Sequence, residues 1–308
     1  MKAISLSAVL ALLCLALVSV TARAEAGHSP DAATAQISAK PRIVAAGGVV
    51  TEIVYALGHS DLLVGVDTTS LFPESALKEK ANVGYVRALS SEGLLSLNPS
   101  MVVAIESAGP PDVLKTVEGA GVKIVRVPEV ATPAGITEKI KEVATLVGDA
   151  GKGAELAADT EKQFKSVERL REKIPKARRA LFILSFLNGR ATVGGEGTSA
   201  DGIIALAGLQ NSASMLKGWK PISDEALLEV APDVIIAMNH GGPQAVTVDN
   251  ILANPAFAAT PAGKTKSILI FDGGYLLGFG PRTPYAARDL LLAAYPEIAK
   301  AEQSSDHK

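Results

Sequence analysis

Apolar and polar positions along the chain follow two different periods, and the change from one to the other marks out three regions. In the first, short apolar runs at 42–46, 62–66, 101–105 and 122–127 predict buried strands. Helical stretches at 51–57 and 92–97 fall between them; Gly47-Gly48 turns the chain out of the first strand and Gly58 stops the first helix. Strands alternating with helices argue for parallel α/β layers. The central region, 135–147 and 149–174, is rich in helix formers. Leu156, Phe164, Val167 and Leu170 recur there at roughly helical spacing, with Lys and Glu between them. This predicts a long helix ending before Pro175, with Gly148, Gly151 and Gly153 as places where the segment breaks or starts. Strands resume at 180–185, 234–238 and 267–271.

The outer regions share a repeat. Residues 90–104, from Ser90-Ser91-Glu92-Gly93-Leu94-Leu95 through Pro99 to Ala104, align without gaps on 223–237, from Ser223-Asp224-Glu225-Ala226-Leu227-Leu228 through Pro232 to Ala237. In each copy a Ser is placed to cap a helix, a Glu lies in the first turn where the dipole favours it, Pro ends the helix, and an apolar strand follows. Two copies flanking a long helix suggest an α/β fold of two lobes with central parallel sheets, joined by a rigid helix, with a ligand cleft between them. The expected boundaries are 41–133 for the N-terminal lobe, 134–175 for the linking helices and 176–302 for the C-terminal lobe.

Composition narrows the class. Lys2, an apolar run over 4–20 and the small-x-small triplet Ala22-Arg23-Ala24 predict a signal peptide at 1–24, cleaved after Ala24. Cys14, the single cysteine, follows Leu12-Leu13 rather than small residues, so no lipid anchor is expected, and the mature chain has no disulfide or thiolate metal site. Residues 25–40 read as a flexible leader and 303–308 as a frayed tail. Of 30 basic residues two fall in the signal peptide, which leaves 28 against 32 acidic and a formal charge of −4. A mildly acidic chain without basic clusters is a poor nucleic-acid binder. No second apolar span follows, so the mature protein is not expected to be embedded in a membrane; it is expected to be a monomer.

Several motifs carry a family resemblance. The opening strand with Gly47-Gly48 and Glu52, together with the two Ser-x-Glu-x-Leu-Leu…Pro units, resembles the superfamily of cobalamin and siderophore binding proteins. Narrower motifs are Gly84-Tyr85-Val86-Arg87-Ala88-Leu89-Ser90-Ser91-Glu92-Gly93, Gly197-Thr198-Ser199-Ala200-Asp201, Leu206-Ala207-Gly208 and Gly280-Pro281-Arg282-Thr283-Pro284. With these, residues 42–296 resemble the periplasmic haem-binding components of bacterial ABC haem importers. The resemblance implies a periplasmic protein that takes haem, Fe(III) protoporphyrin IX, as transported ligand and hands it to the importer's permease.

Within that frame Tyr85 is the expected iron ligand, on a loop at the rim of the N-terminal lobe. A phenolate is a hard anionic oxygen suited to Fe(III), and tyrosine is an axial haem ligand elsewhere. The resemblance places Arg87 against the ligating oxygen, where a cation favours the phenolate. The plainer reading of Tyr85 is a loop ring packed for its own sake. Glu92 and Glu225 are expected to dock on arginines of the importer; the plainer reading is one helix-dipole Glu in each lobe. Trp219, the only tryptophan, is a candidate to cover a porphyrin face or, equally, to pack inside its lobe. Arg282 is a candidate for a haem propionate or for capping the last helix, with Arg190, Lys217 and His240 as weaker cleft candidates. Some resembling proteins add a histidine from the loop after the first strand of the C-terminal lobe. The matching residues here, Ser185-Phe186-Leu187-Asn188-Gly189-Arg190, contain none, which leaves a five-coordinate high-spin iron unless His240 reaches across.

Other classes find less in the sequence. His28 and His307 fall in the presumed leader and tail, and His59 sits at a helix end where a cation is favoured. No His-x-His, His-Glu-x-x-His or carboxylate triad is present, as a zinc or manganese binding protein would need. Gly194-Gly195-Glu196-Gly197 lacks the ending of a phosphate loop and reads as a turn, as does Gly273-Gly274. The alternatives are the same scaffold holding cobalamin or a ferric siderophore, or a periplasmic enzyme. No nucleophile-base pair supports the last, so the chain is not expected to be an enzyme.

Overall fold

The apolar runs are strands; Ile43–Ala46 is buried throughout, whereas Lys123–Val127 buries only Val127. Residues 40–187, 189–239 and 246–305 are described by a computed structural model; the expected signal peptide and almost all of the leader lie outside them. The N-terminal lobe runs β1 (Ile43–Ala46), α1 (Gly48–Ala56), β2 (Leu63–Val66), α2 (Ala76–Glu79), β3 (Ala81–Asn82), α3 (Ser91–Leu95), β4 (Met101–Ile105), α4 (Pro111–Gly119) and β5 (Lys123–Val127). Its sheet is parallel, in the order β3-β2-β1-β4-β5. Helices α5 (Pro133–Leu146) and α6 (Ala150–Arg171) follow. The C-terminal lobe opens with β6 (Arg179–Leu187), β7 (Arg190–Gly194), α7 (Ser199–Leu206), β8 (Gln210–Asn211), β9 (Trp219–Pro221), α8 (Asp224–Val230) and β10 (Val234–Asn239). It closes with α9 (Val248–Leu252), α10 (Pro255–Ala259), α11 (Pro261–Thr265), β11 (Ile268–Asp272), α12 (Gly273–Leu277), α13 (Thr283–Ala294) and α14 (Pro296–Ser305).

The second sheet, β11-β10-β6-β7-β9, keeps a parallel centre and adds what the sequence reading missed: β7 runs antiparallel to β6, and β9 antiparallel to β7. Gly189 has φ 76, and a tight turn there lets the chain fold straight back as a hairpin. Strand residues alternate between cores. Ile43, Ala45, Met101 and Val103 enter one cluster, while Val44, Ala46, Val102 and Ala104 enter another. In the C-terminal lobe Ala180, Phe182, Val234 and Ile236 join the first cluster, and Leu181, Ile183, Ile235 and Ala237 form a third. The first cluster is therefore common to both lobes. Phe164, Val167 and Leu170 of α6 and Leu290 and Leu291 of α13 also belong to it, so the long helix has a buried face and the residues from Lys40 onward form one compact unit.

Glycines and caps place the linking helices. Gly148, φ 82, ends α5, and the Asp149 side chain accepts from Lys152 N at 3.1 Å to start α6. His59 Nε2 lies 3.0 Å from Asp149 Oδ2, and that bond, foremost among several, holds the Asp149 carboxyl down at about 2. Gly153, expected to break or start a helix, lies within α6. A Cβ there would come within 2.2 Å of the Ala144 Cβ, so the glycine is what lets α5 and α6 touch. The repeat folds alike in its two copies. Ser90 accepts from Gly93 N at 3.0 Å and Ser223 from Ala226 N at 3.2 Å. Asn98 (φ 45) and Ala231 (φ 41) then take the left-handed conformation just ahead of the two prolines. Gly273-Gly274 is not a turn; it opens α12, whose cap is Asp272 accepting from Tyr275 N at 2.7 Å. Helix α14 continues to Ser305, inside the stretch read as a tail. Among the described residues no helix is long and apolar enough to cross a membrane.

Candidate functional site

Tyr85 stands on a backbone tied down at every step. Gly84, at φ 91, donates its N–H to Asn82 Oδ1 (2.8 Å), and its carbonyl accepts from Thr68 N (2.9 Å). The Tyr85 carbonyl accepts from Ala88 N (2.7 Å) and the Val86 carbonyl from Gly109 N (2.9 Å). Val86 and Leu89 are buried in the lobe core, whereas the Tyr85 ring is 46% exposed. Among the described residues its hydroxyl makes no hydrogen bond. Other large apolar side chains are exposed past the carboxyl ends of strands: Leu71 and Phe72 on the loop after β2, Val130 after β5, and Leu187 at the end of β6 in the other sheet. Ligands of open α/β sheets bind at such carboxyl ends. Arg87 is exposed two residues beyond Tyr85.

The lobes meet at a seam built from the segment 279–282. Arg282 Nε and the backbone N of Arg282 donate to the two oxygens of Glu52 at 2.9 and 3.1 Å. The guanidinium lies 3.6 Å from the centroid of the Phe72 ring and 5.3 Å from that of Tyr275. A cavity of about 270 Å³ beside this pair is lined by Tyr55, Phe72, Pro73 and Pro281. It is smaller than the ~300–1,000 Å³ typical of drug-sized ligands, so it is no porphyrin site. Gly280 is pressed against Val49 and Glu52. Lys139 of α5, only 2% exposed, donates to the Phe279 carbonyl at 3.2 Å. Burial pulls its ammonium below the ordinary lysine range, and Glu129 and Glu106 oppose that shift. Arg282 is thus already engaged within the protein. Its side chain makes no cap for α13, and its charge is already matched by a carboxylate.

The remaining candidates separate clearly. Trp219 sits in β9 with its ring edge-on to Phe182, centroids 6.1 Å apart at 65°, and packs against the shared core. Ring packing inside its own lobe is the contact it makes. Arg190 is exposed at the start of β7, opposite Leu187, and Lys217 is exposed beside Glu196. His240 and Asn188 lie outside the described residues. Glu92 and Glu225 are both exposed in the first turns of α3 and α8. The Glu225 carboxyl is held below its ordinary value by its own backbone N–H and by the Ser223 hydroxyl, so it is charged at neutral pH. Among the described residues no group of three or more His, Cys, Asp or Glu is placed to hold a metal ion. The sequence reading used Glu52 only as part of the opening motif and gave no role to Asp67, Asn82 or Lys139. The available signal was a Glu inside the apolar helix Gly48–Ala56, since a carboxylate there must find a cation.

Comparison with known proteins agrees with this architecture. The chain is 36% identical to the periplasmic haem-binding protein RhuT from Roseiflexus sp. RS-1, with a TM-score of 0.80 over 84% of this chain and 99% of that one. It is 35% identical to the periplasmic haem-binding protein BhuT, solved in complex with two haems, with a TM-score of 0.79 over 84% and 99%. Among curated sequences it is 26% identical to the vitamin B12-binding protein of Yersinia pestis (strain Pestoides F), over 71% of this chain and 76% of that one. The periplasmic binding protein family matches residues 43–273, from the first strand to the start of α12. By that match, and by the two-lobed fold it shares with its solved relatives, the chain belongs to the family of periplasmic binding proteins.

Proposed function

We propose that this protein captures haem in the periplasm and delivers it to the permease of an ABC haem importer, with Tyr85 as the protein ligand to Fe(III). The observation that carries the reading is Tyr85 itself: an exposed phenol with no hydrogen-bond partner among the described residues, on an anchored loop at the carboxyl edge of the first sheet. Exposed Leu71, Phe72, Val130 and Leu187 offer apolar area to a porphyrin, each Å² removed from water contributing about 25 cal/mol. Of the candidate cations, Arg87, Arg190 and Lys217 are exposed and are assigned to the phenolate and the propionates, whereas Arg282 is paired with Glu52. Hemin titration followed in the visible tests the reading: a saturable, shifted Soret band is expected, and its endpoint counts the haems held. A spectrum identical to free hemin overturns it. Cobalamin is the second reading, favoured by the vitamin B12-binding relative; tighter binding of cyanocobalamin than of hemin would select it.

A single anionic oxygen is a weak-field ligand. The ferric complex is therefore expected to be five-coordinate and high-spin, and reduction to softer Fe(II) should loosen it. Electron paramagnetic resonance checks this. A rhombic low-spin signal that disappears in His240→Ala would establish a Tyr/His pair instead.

Delivery is assigned to Glu92 and Glu225, which the repeat places at equivalent positions of the two lobes. Two separated carboxylates orient the protein on a cationic partner because both must engage together. Glu92→Lys with Glu225→Lys is expected to cut haem transfer to the importer in vesicles at least tenfold while hemin affinity stays unchanged. Normal transfer would leave both residues as helix-dipole carboxylates only.

A further inference from the structure

We infer that Asn82 and Asp67 are positioning residues for Tyr85, setting the phenol's place through the backbone of Gly84. The inference rests on the haem reading of Tyr85. A side chain that leaves its loop into solvent has no packing to aim it, so the backbone beneath must do so. Gly84, just before Tyr85, has φ 91, a conformation that needs glycine and is held on both sides. Its N–H is taken by Asn82 Oδ1 at 2.8 Å, a short loop closure made by a side chain two residues back. Its carbonyl is taken by Thr68 N at 2.9 Å.

Thr68 does not hold that direction alone. It follows Asp67, which is fully buried and accepts four hydrogen bonds. Asp67 Oδ1 takes Gly47 N (2.8 Å) and Ser70 Oγ (3.3 Å), and Oδ2 takes Thr69 N (2.9 Å) and Thr69 Oγ1 (2.7 Å). One carboxylate therefore locks the exit of β1 to the exit of β2, and Thr68, inside that turn, points its N–H at the residue before Tyr85. Asn82 grips the same residue from the exit of β3. Three strand ends are joined into one brace under the phenol. Metal ligands held within about 0.5 Å of their productive place bind best, and losing the groups that orient a ligand costs about 10- to 100-fold in metal affinity.

The test compares Asn82→Ala, Asn82→Asp, Asp67→Asn and Tyr85→Ala in the full chain. Asn82 is exposed, so its truncation should leave the thermal midpoint unchanged. Asn82→Ala is expected to weaken hemin binding about tenfold, broaden the high-spin ferric resonance and speed hydrogen exchange at the Gly84 amide of the ligand-free protein. Asn82→Asp keeps the acceptor and should restore all three. Asp67→Asn should move the spectrum the same way with lower stability; if it does not fold, the Asn82 pair still decides. Wild-type affinity, spectrum and Gly84 exchange in Asn82→Ala, beside a Tyr85→Ala that has lost hemin, overturn the brace alone. Wild-type hemin binding by Tyr85→Ala overturns the ligand assignment itself.

Discussion

Tyr85→Ala is expected to weaken hemin binding by about 100- to 1,000-fold, about 3–4 kcal/mol, and to leave the fold intact. The two halves of that expectation have separate causes. The loss of affinity follows from removing a hard anionic ligand from Fe(III). The unchanged stability follows from exposure: the ring is 46% accessible, so truncation opens no core cavity. Tyr85→Phe divides the effect further, keeping the ring's apolar contact and deleting only the oxygen. Hemin titration and a thermal melt of each variant are the measurements. A folded Tyr85→Ala with wild-type affinity and spectrum would remove the iron from this residue.

Arg282→Ala is expected to cost about 3–5 kcal/mol of stability, because it leaves the Glu52 carboxylate buried without its partner. The side chain of Glu52 is 9% exposed and that of Arg282 27%, and the pair joins the first helix of one lobe to the start of α13 in the other. Replacing both by leucine should cost much less, since no buried charge is then stranded. Denaturant midpoints of Arg282→Leu, Glu52→Leu and the double-leucine variant form the cycle that checks this, with Arg282→Ala measured beside them. A stable Arg282→Ala with impaired hemin binding would instead give Arg282 a propionate role.

How far the sequence could be read depended on the range of the forces involved. The strands at 43–46, 101–105 and 234–238 were legible because burial leaves uninterrupted apolar runs. The repeat was legible as two equivalent capped helices because the Ser cap and its helix lie within one short window. The antiparallel β7 and β9 were not legible: an edge strand such as Trp219–Pro221 is three residues long and carries no period. Gly273-Gly274 looked like a turn because the helix it opens depends on the cap from Asp272 rather than on propensity. At the site, Tyr85 was found through its local motif. The Glu52–Arg282 contact spans 230 residues, and no window of sequence contains both ends. Arg282 was therefore noticed as a cation, and the partner that matches it was not.

The hydrophobic cluster that takes Ile43 from one sheet, Phe164 from the long helix and Ile236 from the other sheet bears on the history written into the repeat. A chain assembled from two copies of one unit would divide into autonomous halves if each kept its own interior. Here α5 and α6 pack on each other at Gly153, and α13 brings Leu290 and Leu291 into the cluster that also holds the first strand. Cutting the chain near Gly148 would strip apolar surface from both pieces at once. The repeat is visible in the strand-and-helix grammar of the two lobes, but each half serves as solvent shield for the other, and neither is expected to fold alone once the chain is cut there.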